Sequence, residues 1–291
     1  MGLGLGLRLG LGGAGVLGPA LNFAALPALP EGRRAAVTAA AQAAAATLGV
    51  TPQSVVDALV VGRGLASLLP NDGCLRDGSG NLTSQGDPVA EISTWTGTRN
   101  IAVQSNASLQ PVSGPLSLVA AFEKRMELGN LSAWTEGEGF LVLYPNSLNP
   151  EFSPSVPAEV PWYVSTATGG SDVAEVVPFY SDSLAGFYLN FGASNRSARS
   201  TSGLDQAQNP PFIYNPRASA GVQTANINAT QILSRAVTVG FPTEGKLFSD
   251  NVNTRPYNGA ISCLVLNSTL YTTTQRAAVR EFCRIYYGVT Y

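Results

Sequence analysis

Carboxylate or lysine side chains are left to carry any acid–base chemistry in this chain, because its 291 residues include no histidine. That absence removes Ser-His-Asp and Cys-His hydrolysis, imidazole general acid–base catalysis and His-ligated metals. Two carboxylate pairs remain for glycoside-type hydrolysis, Glu136 with Glu138 and Asp172 with Asp182, but nothing in the sequence sets either pair at a working separation. The expectation is therefore a protein that is not an enzyme and needs no cofactor. Trp95, Trp134 and Trp162 could line a sugar-type cleft, although aromatic side chains more often pack a core. Three cysteines, Cys74, Cys263 and Cys283, lack the CxxC spacing of zinc or thioredoxin-type chemistry. A Cys263–Cys283 disulfide in a secreted chain and a pair of buried free thiols are equally consistent with this pattern.

Asn-X-Ser/Thr occurs at Asn81, Asn106, Asn130, Asn195, Asn228 and Asn267. The sequence places most of these at turns, where a glycan can be carried, and points to a secreted or extracellular glycoprotein. Only 12% of residues are charged and the formal net charge is -2. Such a scattered balance leaves no basic footprint for nucleic acid. The start, "MGLGLGLRLGLGGAGVLGPALNFAALPALPEG", is apolar but broken by glycine, so residues 1–30 read as a low-complexity or atypical signal-like segment.

The elements that must position these groups follow from periodicity and caps. Residues 31–98 read as two helices and a turn-rich stretch. The alanine run stops at Gly49, and Thr51-Pro52 forms an N-cap with proline at the first helical position. "RNIAVQS" reads as a short strand. "GPLSLVAAFEKRMELGNLSAW" (114–134) reads as an amphipathic helix, with Leu118, Val119, Phe122 and Met126 on one side. "GFLVLYP" and "GAISCLVLNS" read as buried strands, "ANINATQILSRAVTVG" as a helix, and "TTTQRAAVREFCRIYYG" as a capped closing helix. Residues 194–221 read as loop. Strands alternating with helices argue for an α/β protein.

From about Arg99 to Tyr291 the order of pieces resembles a periplasmic-binding-protein-like domain of the phosphate-binding, PstS-like family. The pieces that carry the resemblance are "NIAVQSNASLQ", "GPLSLVAAFEKRMELGNLSAW", "TEGEGFLVLYP", "GGSDVAEVV", "DSLAGFYLNFG", "RPYNGAISCLVL" and "TTQRAAVREFCRIYYG". The resemblance implies a type II two-lobed α/β fold with mixed sheets and flanking helices. Residues 99–291 would form the domain and 31–98 a divergent first lobe. It also implies an extracellular solute-binding protein holding a small oxyanion, phosphate, in the interlobe cleft. The ligand-binding residues would be Ser105, Ser108, Ser113, Gly114, Ser117, Gly170 and Ser171, with helix N-terminal amides completing the cradle. The family's motif arginine is replaced here, and Asn106 lies in a sequon. Those departures favour the alternative, a secreted structural or adhesive glycoprotein that keeps the fold without the ligand site.

Overall fold

The computed structural model describes residues 20–115, 117–120, 124–145, 160–166, 186–207, 210–249, 257 and 259–291. Helix α1 (Arg34–Leu48) is an alanine-rich run that ends where Gly49 takes φ +67°, a conformation glycine adopts without strain. Helix α2 (Pro52–Ala58) starts at Thr51, whose side chain accepts a hydrogen bond from the Ser54 amide. A four-residue turn, α3 (Leu204–Ala207), precedes the long C-terminal α4 (Thr273–Tyr286). Thr272 and Gln275 close a reciprocal capping box at the start of α4.

Fourteen short strands form two sheets among the described residues. The first sheet contains β12 (Thr230–Ala236), β11 (Val222–Ile227), β10 (Phe212–Ser219), β8 (Gly137–Pro145), β14 (Gly259–Asn267), β6 (Leu118–Ala120) and β5 (Val112–Ser113), in that order. Strand β1 (Ala66–Ser67) joins it on β14, opposite Leu264 and Cys263. The second sheet runs β2 (Leu75–Arg76), β3 (Glu91–Ile92), β4 (Ala102–Val103), β7 (Met126–Gly129), β13 (Gly245–Leu247) and β9 (Trp162–Tyr163). Every pairing is antiparallel.

Side-chain alternation sorts the faces of the first sheet. Glu138, Phe140, Asn215, Cys263 and Asn267 face the helices, where Glu138 meets Arg276, Phe140 meets Tyr271 and Cys263 meets Cys283. Gly139 and Tyr214 face the second sheet, where both meet Trp162. A methyl group at Gly139 would strike the Trp162 indole, so this glycine sets how closely the sheets approach. The molecule is therefore three layers deep: helices α1, α2 and α4, which pack on one another, then the first sheet, then the second.

This architecture corrects the two-lobed α/β expectation and the periplasmic-binding-protein resemblance. A parallel sheet needs crossover connections between strands, whereas here every pairing is antiparallel and β5–β6, β10–β11 and β11–β12 are joined by short turns. Strands β10 and β11 are joined by Ala220 and Gly221, both with positive φ, as a two-residue type I′ hairpin requires. Asn228, at φ +53°, opens the next turn. The segment expected to be a helix from 225 to 240 is thus largely the β11–β12 hairpin, and residues 212–219 of the expected loop at 194–221 are β10. The amphipathic helix expected at 114–134 is likewise replaced by β6 and β7, which lie in different sheets. Met126 and Leu128 are buried on alternate positions of β7, a period of two rather than 3.6. Residues 66–103 supply β1 to one sheet and β2, β3 and β4 to the other, so the 31–98 and 99–291 segments share both sheets.

Candidate functional site

Of the described residues expected to hold phosphate, Ser113, Gly114 and Ser117 share one hairpin and Ser105 and Ser108 precede it in the chain. Ser105 and Ser108 are exposed, and the Ser108 amide and hydroxyl both donate to Asn106 Oδ1, at 3.0 and 2.8 Å. Ser113, Gly114 and Ser117 are buried at the β5–β6 hairpin. No helix begins at that hairpin, and its amides are consumed locally. The Ser113 amide donates to Asp87 O at 2.9 Å, and the Gly114 amide to Ser117 O at 2.8 Å. Gly170 and Ser171, with the expected helix at 169–178, lie outside the described residues. An anion cradle needs free, convergent amide donors, and the Ser113 and Gly114 amides are both already paired. The oxyanion clamp therefore falls with the architecture it required. So does the alternative, a glycoprotein that keeps that fold.

The six sequons divide by burial. Asn81, Asn106, Asn130 and Asn195 are exposed, whereas Asn228 and Asn267 are fully buried. Asn228 Oδ1 accepts from the Ile213 amide at 2.8 Å. Asn267 Nδ2 donates to Val61 O at 2.9 Å and to the Tyr271 hydroxyl at 3.1 Å. In the folded chain those two amides have no exposed face for a glycan. Cys263 and Cys283 are buried thiols with their sulfurs 3.8 Å apart. Trp95 and Trp162 are core residues. Glu138 is buried in an ion pair with Arg276, and Glu136 accepts from the Ser219 hydroxyl at 2.9 Å.

One cleft of about 660 Å³ stands out among the described residues. It is lined by Ser132, Trp134 and Thr135 from the β7–β8 loop, Tyr163 from β9, Thr166, and residues 239–244 between β12 and β13. Local chemistry builds each wall. Asn130 Oδ1 accepts from the Ser132 amide and hydroxyl at 2.9 and 2.7 Å, which curls the first loop. The Leu131 amide then donates to Pro242 O at 2.9 Å, joining the two loops. Gly240 donates to Gly192 O at 3.0 Å and lies so close to Thr166 that a Cβ would come within 2.8 Å of its hydroxyl oxygen.

Aromatic packing fixes the floor. Phe241 meets Trp134 at 5.5 Å in a tilted contact, and Phe191 beneath it at 5.6 Å edge-on. The Arg63 guanidinium lies 5.0 Å from the Trp134 ring centroid, and partial burial lowers its pKa. Burial, and then the nearby Glu244 charge, push the Tyr163 phenol above its usual range. Glu244 is the one carboxylate among the described residues lining the cleft. Among the described residues no cluster of acidic and sulfur ligands could hold a metal ion. No described helix is long and apolar enough to cross a membrane.

The sequence had named Trp134 only as one of three tryptophans with alternative roles. Tyr163, Phe241 and Glu244 carried no signal, because the cleft is assembled from three loops far apart in the chain. Their one common feature, aromatic residues flanked by Ser, Thr and Gly, recurs throughout this composition.

No family model matches the chain, and no curated protein matches it. Among solved structures it is similar to a Trypanosoma rangeli sialidase, at 9% identity over 80% of this chain and 39% of the sialidase, with a TM-score of 0.49. It is also similar to domain 4 of AbnA, an extracellular arabinanase from Geobacillus stearothermophilus, at 13% identity over 74% of this chain and 98% of that domain, with a TM-score of 0.41. A third is tailspike protein 2 of an Escherichia coli O157:H7 bacteriophage, at 14% identity over 74% of this chain and 31% of the tailspike, with a TM-score of 0.41. None of the three is a periplasmic binding protein. Scores below 0.5 carry no argument about this chain's fold or activity, which rest on its own topology and cleft.

Proposed function

We propose that this chain is a non-catalytic glycan-binding module acting outside the cell. The observation that carries the reading is the cleft where Trp134, Tyr163 and Phe241 meet the hydroxyls of Ser132, Thr135, Thr166 and Thr243. A sugar ring offers an apolar C–H face and a rim of hydroxyls. It is matched by the part-exposed Trp134 indole, backed by the buried Phe241 and Tyr163 rings, beside short hydroxyl side chains that both donate and accept. The volume of about 660 Å³ suits an oligosaccharide of a few rings rather than a bare oxyanion. Two-carboxylate glycoside hydrolysis needs a second acid across the cleft. Among the described lining residues Glu244 is the one carboxylate, and this supports binding without turnover.

Affinity electrophoresis through gels containing neutral or carboxylated polysaccharides tests this reading. The folded chain is expected to be retarded by at least one of them, with no new reducing ends released. Trp134→Ala is expected to weaken retardation about tenfold, the scale of one lost aromatic stack near 1.4 kcal/mol. Free migration through every gel would overturn the proposal, and release of reducing ends would replace a binding module with a hydrolase.

A further inference from the structure

Cys263 and Cys283 are on elements the fold brings together, and nothing in the glycan-binding cleft uses them. Cys263 sits on the helix-facing side of β14, beside Val142 across the strand pair. Cys283 sits on the third turn of α4, on the buried side that also carries Val279 and Phe282. Their sulfurs are 3.8 Å apart and both residues are fully buried. A disulfide has an S–S distance of about 2.05 Å, so side-chain rotation must close roughly 1.8 Å. Cys74, the third thiol, has its sulfur 3.8 Å from Asp72 O and is near enough to Cys263 for the two to interact electrostatically, which makes Cys74–Cys263 the competing link.

We propose that Cys263 and Cys283 are joined as a disulfide that staples α4 to β14 when the chain folds in an oxidising environment. Each thiol gives up a proton, and together the pair gives up two electrons to an external disulfide, glutathione disulfide or an oxidised dithiol carrier. The carrier's S–S bond breaks as the Cys263–Cys283 bond forms, and the carrier leaves as two thiols. Exchange needs a thiolate that the external disulfide can reach. Both thiols are sealed in the folded chain, and burial pushes the Cys283 thiol well above its usual range. The bond therefore forms before α4 docks, and afterwards the same burial protects it from reductants. The loop it closes is short and local, and the constraint falls on the unfolded chain.

The test refolds the full chain from urea in a glutathione redox couple, denatures it with N-ethylmaleimide present and maps the peptides. The expected product has lost two hydrogens, carries one maleimide on Cys74 and shows the Cys263 and Cys283 peptides linked. Its Tm is expected to lie roughly 6–10 °C above that of the chain refolded in dithiothreitol. Cys74→Ser should keep that difference and Cys283→Ser should abolish it. Three maleimides on the refolded chain, a link through Cys74, or equal Tm values for oxidised and reduced chains would each overturn the proposal. The peptide map is read on the wild-type chain, so it stands even where a serine variant fails to fold.

Discussion

Replacing Glu138 with leucine removes the acceptor at the centre of a polar cluster between the first sheet and α4. The carboxylate is fully buried and takes four hydrogen bonds. Arg276 donates from Nε at 2.5 Å and from Nη2 at 3.1 Å, the Tyr271 amide donates at 3.1 Å, and Asn215 Nδ2 donates at 3.2 Å. With the carboxylate gone, a guanidinium only 19% exposed keeps its charge and loses its counter-ion. Breaking one side of a buried ion pair costs about 3–5 kcal/mol, and here a backbone amide is stranded as well. At 2–4 °C per kcal/mol, the Tm should fall on the order of 6–20 °C. Urea unfolding followed by fluorescence and circular dichroism measures the loss. Glu31→Gln is the control, because Glu31 is 81% exposed in its pair with Arg34 and exposed pairs contribute under about 1 kcal/mol. Glu138→Leu combined with Arg276→Met should recover much of the stability, since the uncompensated charge leaves with its partner. A Glu138→Leu chain within 1 kcal/mol of wild type would refute the argument that this pair holds α4 to the sheet.

Three further outcomes follow from the packing. Asp72 is fully buried, and its pKa is raised by burial, against the Ser67 hydrogen bond, the Arg33 charge and the Tyr286 hydrogen bond. Its contribution to stability is thus present below the unfolded value near 3.9 and is lost as pH rises through the folded value. Asp72→Asn should flatten that part of the stability–pH curve, and identical slopes in urea titrations would contradict the assignment. Gly139→Ala drives a methyl into the Trp162 indole and to within 3.1 Å of Val265 O, and is expected to cost roughly 1–3 kcal/mol in the same assay. In a eukaryotic secretory host, glycopeptide mapping should find occupancy confined to Asn81, Asn106, Asn130 and Asn195, and a glycan on Asn228 or Asn267 of folded protein would contradict their burial.

Local signals in the sequence located the elements that local physics decides. The Gly49 stop, the Thr51-Pro52 start and the threonine caps before α4 all sit where short-range hydrogen bonds and φ preferences act. The apolar runs of β8 and β14 were equally legible, because both faces of these strands are covered. What failed was the choice of period in half-buried segments. Leu118, Val119, Phe122 and Met126 match a helical stripe, yet the described parts of that segment are strands in two sheets. Ala220-Gly221 and Asn228 are the turn signals that make β10, β11 and β12 a meander, and helical spacing across "NATQILSRAV" masked the second of them. With helices in those segments the order of pieces resembles a binding-protein domain, and the phosphate site follows from that resemblance. Trp134 was visible as a residue but not as a site, since Pro242 and Gly192 anchor its cleft from distant parts of the chain.

Hydrogen exchange on the chain with and without a polysaccharide that retards it tests the central claim most directly. The account predicts new protection confined to residues 130–136, 160–166 and 237–244, and its loss in Trp134→Ala. Protection elsewhere on the molecule, or unchanged exchange at these three segments, would contradict it.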